Sequence, residues 1–164
     1  MGPLIRVPLG FQEQEISMKR LVVVLVLLAP FTLSCSYFFK ETLNVKEVVA
    51  KKEEMDRSDN PAYKFLATRD LAEKRVQVKN VTIKDVIVSG NIDYEFCVLV
   101  SVPYEKGMID CYIYSRELKT VSRLVKGKSK IDVVGDFGRF FTLLDDAYTK
   151  IEIINADITI LKEK

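Results

Sequence analysis

No histidine occurs among the 164 residues. That absence removes Ser-His and Cys-His nucleophile pairs and every zinc site that draws on imidazole. Cysteine is scarce: the chain has three, with no C-x-x-C spacing, so thioredoxin-like chemistry has no foothold. There is no glycine-rich phosphate loop and no G-x-S-x-G. Neither sign of charge is in excess, since 25 Lys and Arg face 23 Asp and Glu. The composition leads us to expect no cofactor, no metal site and no catalytic residue.

What the chain does have is one long uncharged run. Lys19 and Arg20 precede the apolar stretch 21–29, Pro30 breaks it, and Thr32, Leu33 and Ser34 lead to Cys35. Charge, apolar stretch and small residues follow the order of a secretory signal, here 18–34. Its end resembles the bacterial lipobox of a leucine, two small residues and a cysteine, although Thr32 stands where the box carries leucine. The resemblance implies diacylglycerol on the Cys35 thiol and a bacterial lipoprotein. An uncleaved anchor is the other reading. No residue of 21–39 is charged, close to the ~20 apolar residues that span a bilayer, and Lys19 and Arg20 would stay inside. Both readings place residues 40 onward outside the cytoplasm, held at the cell envelope and facing the periplasm or exterior.

Residues 1–17 fit this design poorly, because Met18 stands immediately before the basic pair. Gln14-Glu15 can be encoded as CAGGAG, which contains a ribosome-binding sequence. We therefore read 1–17 as an upstream misassignment of the start; a genuine extension is the alternative. Removing 1–35 takes away Arg6, Lys19, Arg20, Glu13 and Glu15, leaving 22 basic against 21 acidic residues. Nucleic-acid binders usually carry a clear basic excess, so near-neutrality and export both argue against that partner.

Segment 35–57 reads as a lipidated tether. Its mixed charges at helical spacing allow i,i+4 pairs and some helix, but the plain reading is a solvated spacer. Residues 58–74 read as an N-terminal helix over about 61–73: a short polar side chain caps it at Asn60 and Pro61 opens its first turn. Its apolar stripe is Ala62, Phe65, Leu66 and Ala72, expected to pack on one end or one face of the domain after it.

From Arg75 the apolar period becomes two. A first strand runs over 75–88, with a phase slip at Lys79-Asn80 that a bulge would absorb. A second runs over 94–102, with Phe96, Val98, Val100 and Val102 on one face, and a third over 108–115. Pairing Val102 with Ile109, Val100 with Cys111 and Val98 with Ile113 keeps Asp110 off the core face. That register points Cys111 inward and Cys97 outward, so no disulfide is expected despite an oxidising compartment. A short helix is expected over 117–125, on the stripe Leu118, Val121, Leu124 and Val125, ended by Gly127. The fourth strand points Ile131, Val133 and Phe137 one way and kinks or turns at Gly138-Arg139. The last, over 149–161, changes phase between Ile151/Ile153 and Ala156/Ile158/Ile160.

Five strands, a helix between the third and fourth, and slips in the first and last predict a mainly β fold: a closed Greek-key barrel over 75–164. Leu124-Val-Lys-Gly127-Lys-Ser-Lys-Ile131-Asp-Val133-Val-Gly135 resembles the OB-fold pattern of that region. Residues 153–158 resemble its closing strand and 75–81 its opening one. The whole is similar to the OB-fold domains of bacterial lipoproteins labelled tRNA-anticodon-binding-like. That resemblance implies a five-stranded OB-type barrel and transfers no binding residue. The uncharged stretch 140–144 departs from the common pattern.

Three functions are open to such a chain. A non-catalytic binding or scaffolding module of the envelope would use the outward face of the second and third strands: Glu95, Cys97, Leu99, Ser101, Asp110, Tyr112 and Tyr114. Within it Leu99, Tyr112 and Tyr114 are the candidate ligand face for an envelope protein or glycan, unless they cover the 61–73 helix. Single-stranded nucleic-acid binding would use the two tyrosines as stacking platforms. An enzyme would need Asp145-Asp146 as a carboxylate pair or Cys97 as a nucleophile, and no histidine exists to activate that thiol.

Overall fold

Two apolar phases within one strand are what close this molecule. The structure, a computed structural model, describes residues 40–105, 107–142 and 149–162. Its elements are β1 (Thr42–Asn44), α1 (Val45–Arg57), α2 (Pro61–Ala72), β2 (Arg75–Val88), β3 (Phe96–Tyr104), β4 (Gly107–Tyr114), α3 (Leu118–Val121), β5 (Lys130–Thr142) and β6 (Thr149–Leu161). In β2, Val76 and Val78 are buried on one phase and Val81 and Ile83 on the next. The slip falls where the sequence put it: the register against β5 shifts between Val78 and Val81, and Asn80 takes a φ of 49°. Asparagine tolerates that left-handed conformation, and its N–H donates to the Asp132 carboxylate at 2.7 Å. β2 can then pair with β5 through its first half and with β3 through its second.

β6 repeats the device. Ile151 and Ile153 are buried before the slip and Ala156 and Ile158 after it, with Asn155 at φ 48°. β5 bends too, but as a continuous strand with register shifts between Val134/Asp136 and Phe137/Arg139. The Gly138-Arg139 break is therefore a kink within a strand that continues through the phenylalanines to Thr142. Gly135 is required where β5 crosses β6, since a Cβ there would lie 2.6 Å from Ile153 Cγ2.

The sheet order is β1-β2-β3-β4-β6-β5, and β2–β5 pairing closes it. β4–β6 is parallel, the other barrel pairs are antiparallel, and α3 joins β4 to β5. This is the expected five-stranded OB-type Greek-key barrel, with β1 added in parallel to the start of β2. The register of β3 on β4 is the one the sequence favoured, Val102 with Ile109, Val100 with Cys111 and Val98 with Ile113. Both Cys97 and Cys111 are free and buried; Cys111 lies in the barrel core and Cys97 outside it, in a separate apolar cluster.

Three expectations change. The spacer is not solvated from residue 40 on: Leu43, Val45, Val48, Val49 and Met55 join the barrel core, while the charged residues that dominate the reading of this segment occupy the other side of α1. α1 lies over one barrel end, where Tyr104 Oη donates to Glu53 at 2.9 Å and the Lys52 ammonium stands 5.9 Å from the Phe140 ring. α2 packs through Ala67 and Leu71, and its stripe residues Phe65 and Leu66 are exposed. At the opposite barrel end α3 is shorter than expected. Its second turn is lost because Val125 N–H donates to Ser129 Oγ and Gly127 N–H to the Ile83 carbonyl, which returns the chain to β5. Val121 is buried and Leu124 packs on the core, while Leu118 and Val125 stay exposed.

Candidate functional site

Outward residues of four neighbouring strands align in one row. Leu99 on β3 pairs with Tyr112 on β4, Tyr112 with Glu152 on β6, and Glu152 with Arg139 on β5. Lys150 and Phe141 form the adjacent pair. Residues paired across strands share a face, so the closing strands extend the face anticipated on the second and third.

Tyr112 is half-buried, with Phe141 edge-on at 4.9 Å between ring centroids. Lys150 Nζ donates to Tyr112 Oη at 3.2 Å and stands 5.4 Å from its ring centroid. Arg139 Nε donates to Glu152 Oε2 at 2.7 Å, and its guanidinium is 6.0 Å from the Phe141 ring. Glu152 is only 6% exposed, and a buried carboxylate needs a partner; Arg139 supplies it and is held in place by doing so. Two rings interleaved with two cations are the outcome.

Tyr114 is placed differently. It is 9% exposed, under the Tyr94 ring at 5.4 Å. Tyr94 Oη accepts from the Asn155 N–H at 3.1 Å and donates to Asn155 Oδ1 at 2.9 Å, which pins the 89–95 turn over Tyr114 and Cys97. Burial is the main cause that pushes the Tyr114 phenol up to about 12 and the Cys97 thiol up to about 11. Both are neutral at physiological pH, and an inert protonated thiol is a poor nucleophile. Tyr114 is thus covered by Tyr94, and Tyr112 has Phe141 at its edge; the partners of both rings come from the barrel and its 89–95 turn, where α2 was the alternative. Leu99 is half-buried, and Glu95 is exposed at the turn. At the far end of the face, Asp110 accepts from Ser101 Oγ and pairs with Lys84 Nζ at 3.3 Å.

The structure therefore brings Leu99 and Tyr112 together and withdraws Tyr114. Sequence reasoning missed Arg139, Phe141, Lys150 and Glu152. The signal was available in the period of two: Lys150, Glu152 and Ile154 alternate with the inward isoleucines of β6. Cys35 and the Asp145-Asp146 pair lie outside the described residues, as do the start extension 1–17, the signal 18–34 and the anchor run 21–39. Among the described residues no helix is long and apolar enough to cross a membrane.

A separate groove of about 470 Å³ opens between the start of α1 and the β2 bulge, lined by Asn44, Val45, Lys46, Lys79, Val81 and Val102 among others. Its polar neighbour Asn44 is already committed to capping α1, so the groove offers no spare oriented polar group from that side chain.

No protein-family model matches this chain, and no curated protein matches it. Among solved structures it is similar to the Plasmodium falciparum SSB in complex with ssDNA, at 10% identity and a TM-score of 0.37, over 54% of this chain and 94% of that one.

Proposed function

We propose that this protein is a membrane-tethered, non-catalytic binding module of the bacterial cell envelope, anchored through acylated Cys35 or through an uncleaved 21–39 segment. Its barrel presents Leu99, Tyr112, Phe141, Lys150 and Arg139 to an envelope protein or glycan. The observation that carries this reading is the half-buried Tyr112 ring with Phe141 edge-on and Lys150 against it, beside the Arg139 guanidinium that Glu152 holds near the Phe141 ring. An aromatic flanked in this way stacks on a sugar ring or an apolar side chain, while the cations take a carboxylate or hydroxyl of the same ligand. The lack of histidine and the protonated state of Cys97 support a role in binding over one in chemistry.

A photo-crosslinking residue at position 99 of the full-length protein in intact cells tests it, with position 92 as control. Ile92 lies in the turn between β2 and β3 and is fully exposed. We expect a product specific to position 99 that diminishes in Arg139→Ala. Identical products from both positions would refute the face. Intact mass of the membrane form is expected to show a chain starting at acylated Cys35; an unprocessed N-terminus assigns the uncleaved anchor instead.

Single-stranded nucleic acid is the second reading, favoured by the same interleaving of Tyr112 and Phe141 with Lys150 and Arg139, since bases stack on aromatics and phosphates meet cations. The near-neutral exported chain weighs against it. Oligonucleotide binding that weakens steeply with salt and is lost in Tyr112→Ala would replace the first reading with this one.

A further inference from the structure

We propose that α2 is a membrane-resting helix, whose outward apolar face lies on the lipid surface to which the chain is anchored. This rests on the anchoring reading given above. At 100° per residue, Ala67 and Leu71 point toward the core that they join. Ala62, Phe65, Leu66 and Ala72 fall on the opposite half of the helix, with Arg69 among them. All five of those residues are exposed, Phe65 by 66% and Leu66 by 56%. A helix of a barrel domain ordinarily turns its large apolar side chains inward; this one leaves Phe65 and Leu66 in solvent on either side of Arg69, exposed apolar surface of the kind that marks an interaction.

Chain length says which surface. Cys35 precedes Lys40 by five residues, and five peptide units extend at most about 17 Å. Lys40 is fixed to the fold, its Nζ 2.9 Å from Asp136, and the next residue, Glu41, pairs with Lys74 at 2.9 Å. Lys74 lies just beyond the C-terminal end of α2, and Phe65 stands roughly 13 Å back along the helix direction from it. An acylated Cys35 therefore keeps α2 within reach of the bilayer, and an uncleaved anchor ending at Phe39 keeps it closer. Arg69 suits the same surface, because its stem lies along acyl chains while its guanidinium reaches phosphate.

The chain has no tryptophan, so Phe65→Trp places a lone indole on this face without touching the core. The full-length anchored protein is reconstituted in vesicles of phosphatidylethanolamine and phosphatidylglycerol with brominated acyl chains. Val125→Trp, exposed in the turn that leads into β5, is the control. The expected result is a blue-shifted Phe65→Trp emission that loses most of its intensity to bromine, with neither change in Val125→Trp. Protein that floats with the vesicles while Phe65→Trp keeps its solvent emission overturns the docking and leaves the anchor standing. Blue-shifted emission indifferent to bromine also overturns it, by showing protein, such as a second copy, on that face. Protein that does not float with vesicles overturns the anchor and the docking together.

Discussion

α1 and α2 follow one another into the same end of the barrel, yet their apolar residues face opposite ways. α1 carries Lys46, Glu47, Lys51, Lys52, Glu53 and Glu54 and nevertheless buries Val45, Val48, Val49 and Met55. Burying each such side chain stabilises by roughly 1.5–3 kcal/mol relative to leaving it in water, so α1 is a structural wall of the domain. α2 looks the more apolar of the two, but Leu71 is its one buried residue. Its polar links to α1 lie at the surface: Tyr63 Oη donates to Glu54 at 2.5 Å, Thr68 Oγ1 to Met55 Sδ at 3.7 Å, and Lys51 pairs with Asp70 at 3.5 Å. Surface pairs of that kind contribute little. The difference teaches that the proportion of apolar residues does not decide burial; their phase against an available cavity does. Three valines and a methionine in phase close a barrel mouth, whereas a phenylalanine and a leucine out of phase are left outside.

The largest effect that would break this contrast comes from placing the same charge on both helices. Val48→Asp buries an unpaired carboxylate at a position with 0% exposure, a loss beyond about 4 kcal/mol against a total stability of about 5–15 kcal/mol for a domain. We expect loss of the cooperative thermal transition. Leu66→Asp, on the outward side of α2, should shift stability by no more than about 0.5 kcal/mol. Equal losses from the two substitutions would mean that the outward face of α2 is covered within the monomer. The next effect is Leu71→Ala. Leu71 is wholly buried, and removing such a side chain costs about 2–5 kcal/mol. Urea denaturation should place it between the two aspartate variants, and a value near zero would show that α2 is not attached to the fold.

How much of this could be read beforehand divides along the same line. β2 through β6 were legible because a period of two has only two phases, and a slip such as Lys79-Asn80 has one structural solution. The register of β3 on β4 was legible because Asp110 could not face the core. α1 was not, since its charges outnumber its valines and nothing local says that a barrel mouth awaits them. The outward turn of α2 was hidden for the same reason: Phe65 and Leu66 form a stripe in either orientation, and only the position of α1 decides which side faces in. At the candidate site Leu99 and Tyr112 could be placed from β3 and β4 alone. Arg139, Lys150 and Glu152 required the closure of β5 on β6, a long-range pairing. Tyr114 was withdrawn by a single contact, Tyr94 to Asn155, between residues 61 apart in sequence.

The smallest expected effect separates the helices by their caps. Asn44 caps α1 reciprocally: Glu47 N–H donates to Asn44 Oδ1 at 3.0 Å and Asn44 N–H to Glu47 Oε2 at 2.7 Å. Asn60 caps α2 by accepting from Ala62 and Tyr63 N–H at 3.0 and 3.4 Å. Replacing a cap by alanine costs about 1 kcal/mol of helix stability, but where that cost is read depends on coupling to the core. Because α1 cannot fray without uncovering Val45, Val48 and Val49, Asn44→Ala should lower global stability by about 1 kcal/mol in denaturant unfolding. Because the first turns of α2 bury nothing, Asn60→Ala should leave the global transition nearly unchanged. Its effect should be confined to faster amide exchange over the N-terminal half of α2, as a locally opening segment. Measured together by hydrogen exchange and urea titration, equal global losses from the two variants would show that α2 is as firmly coupled to the barrel as α1, and the contrast between the helices would fail.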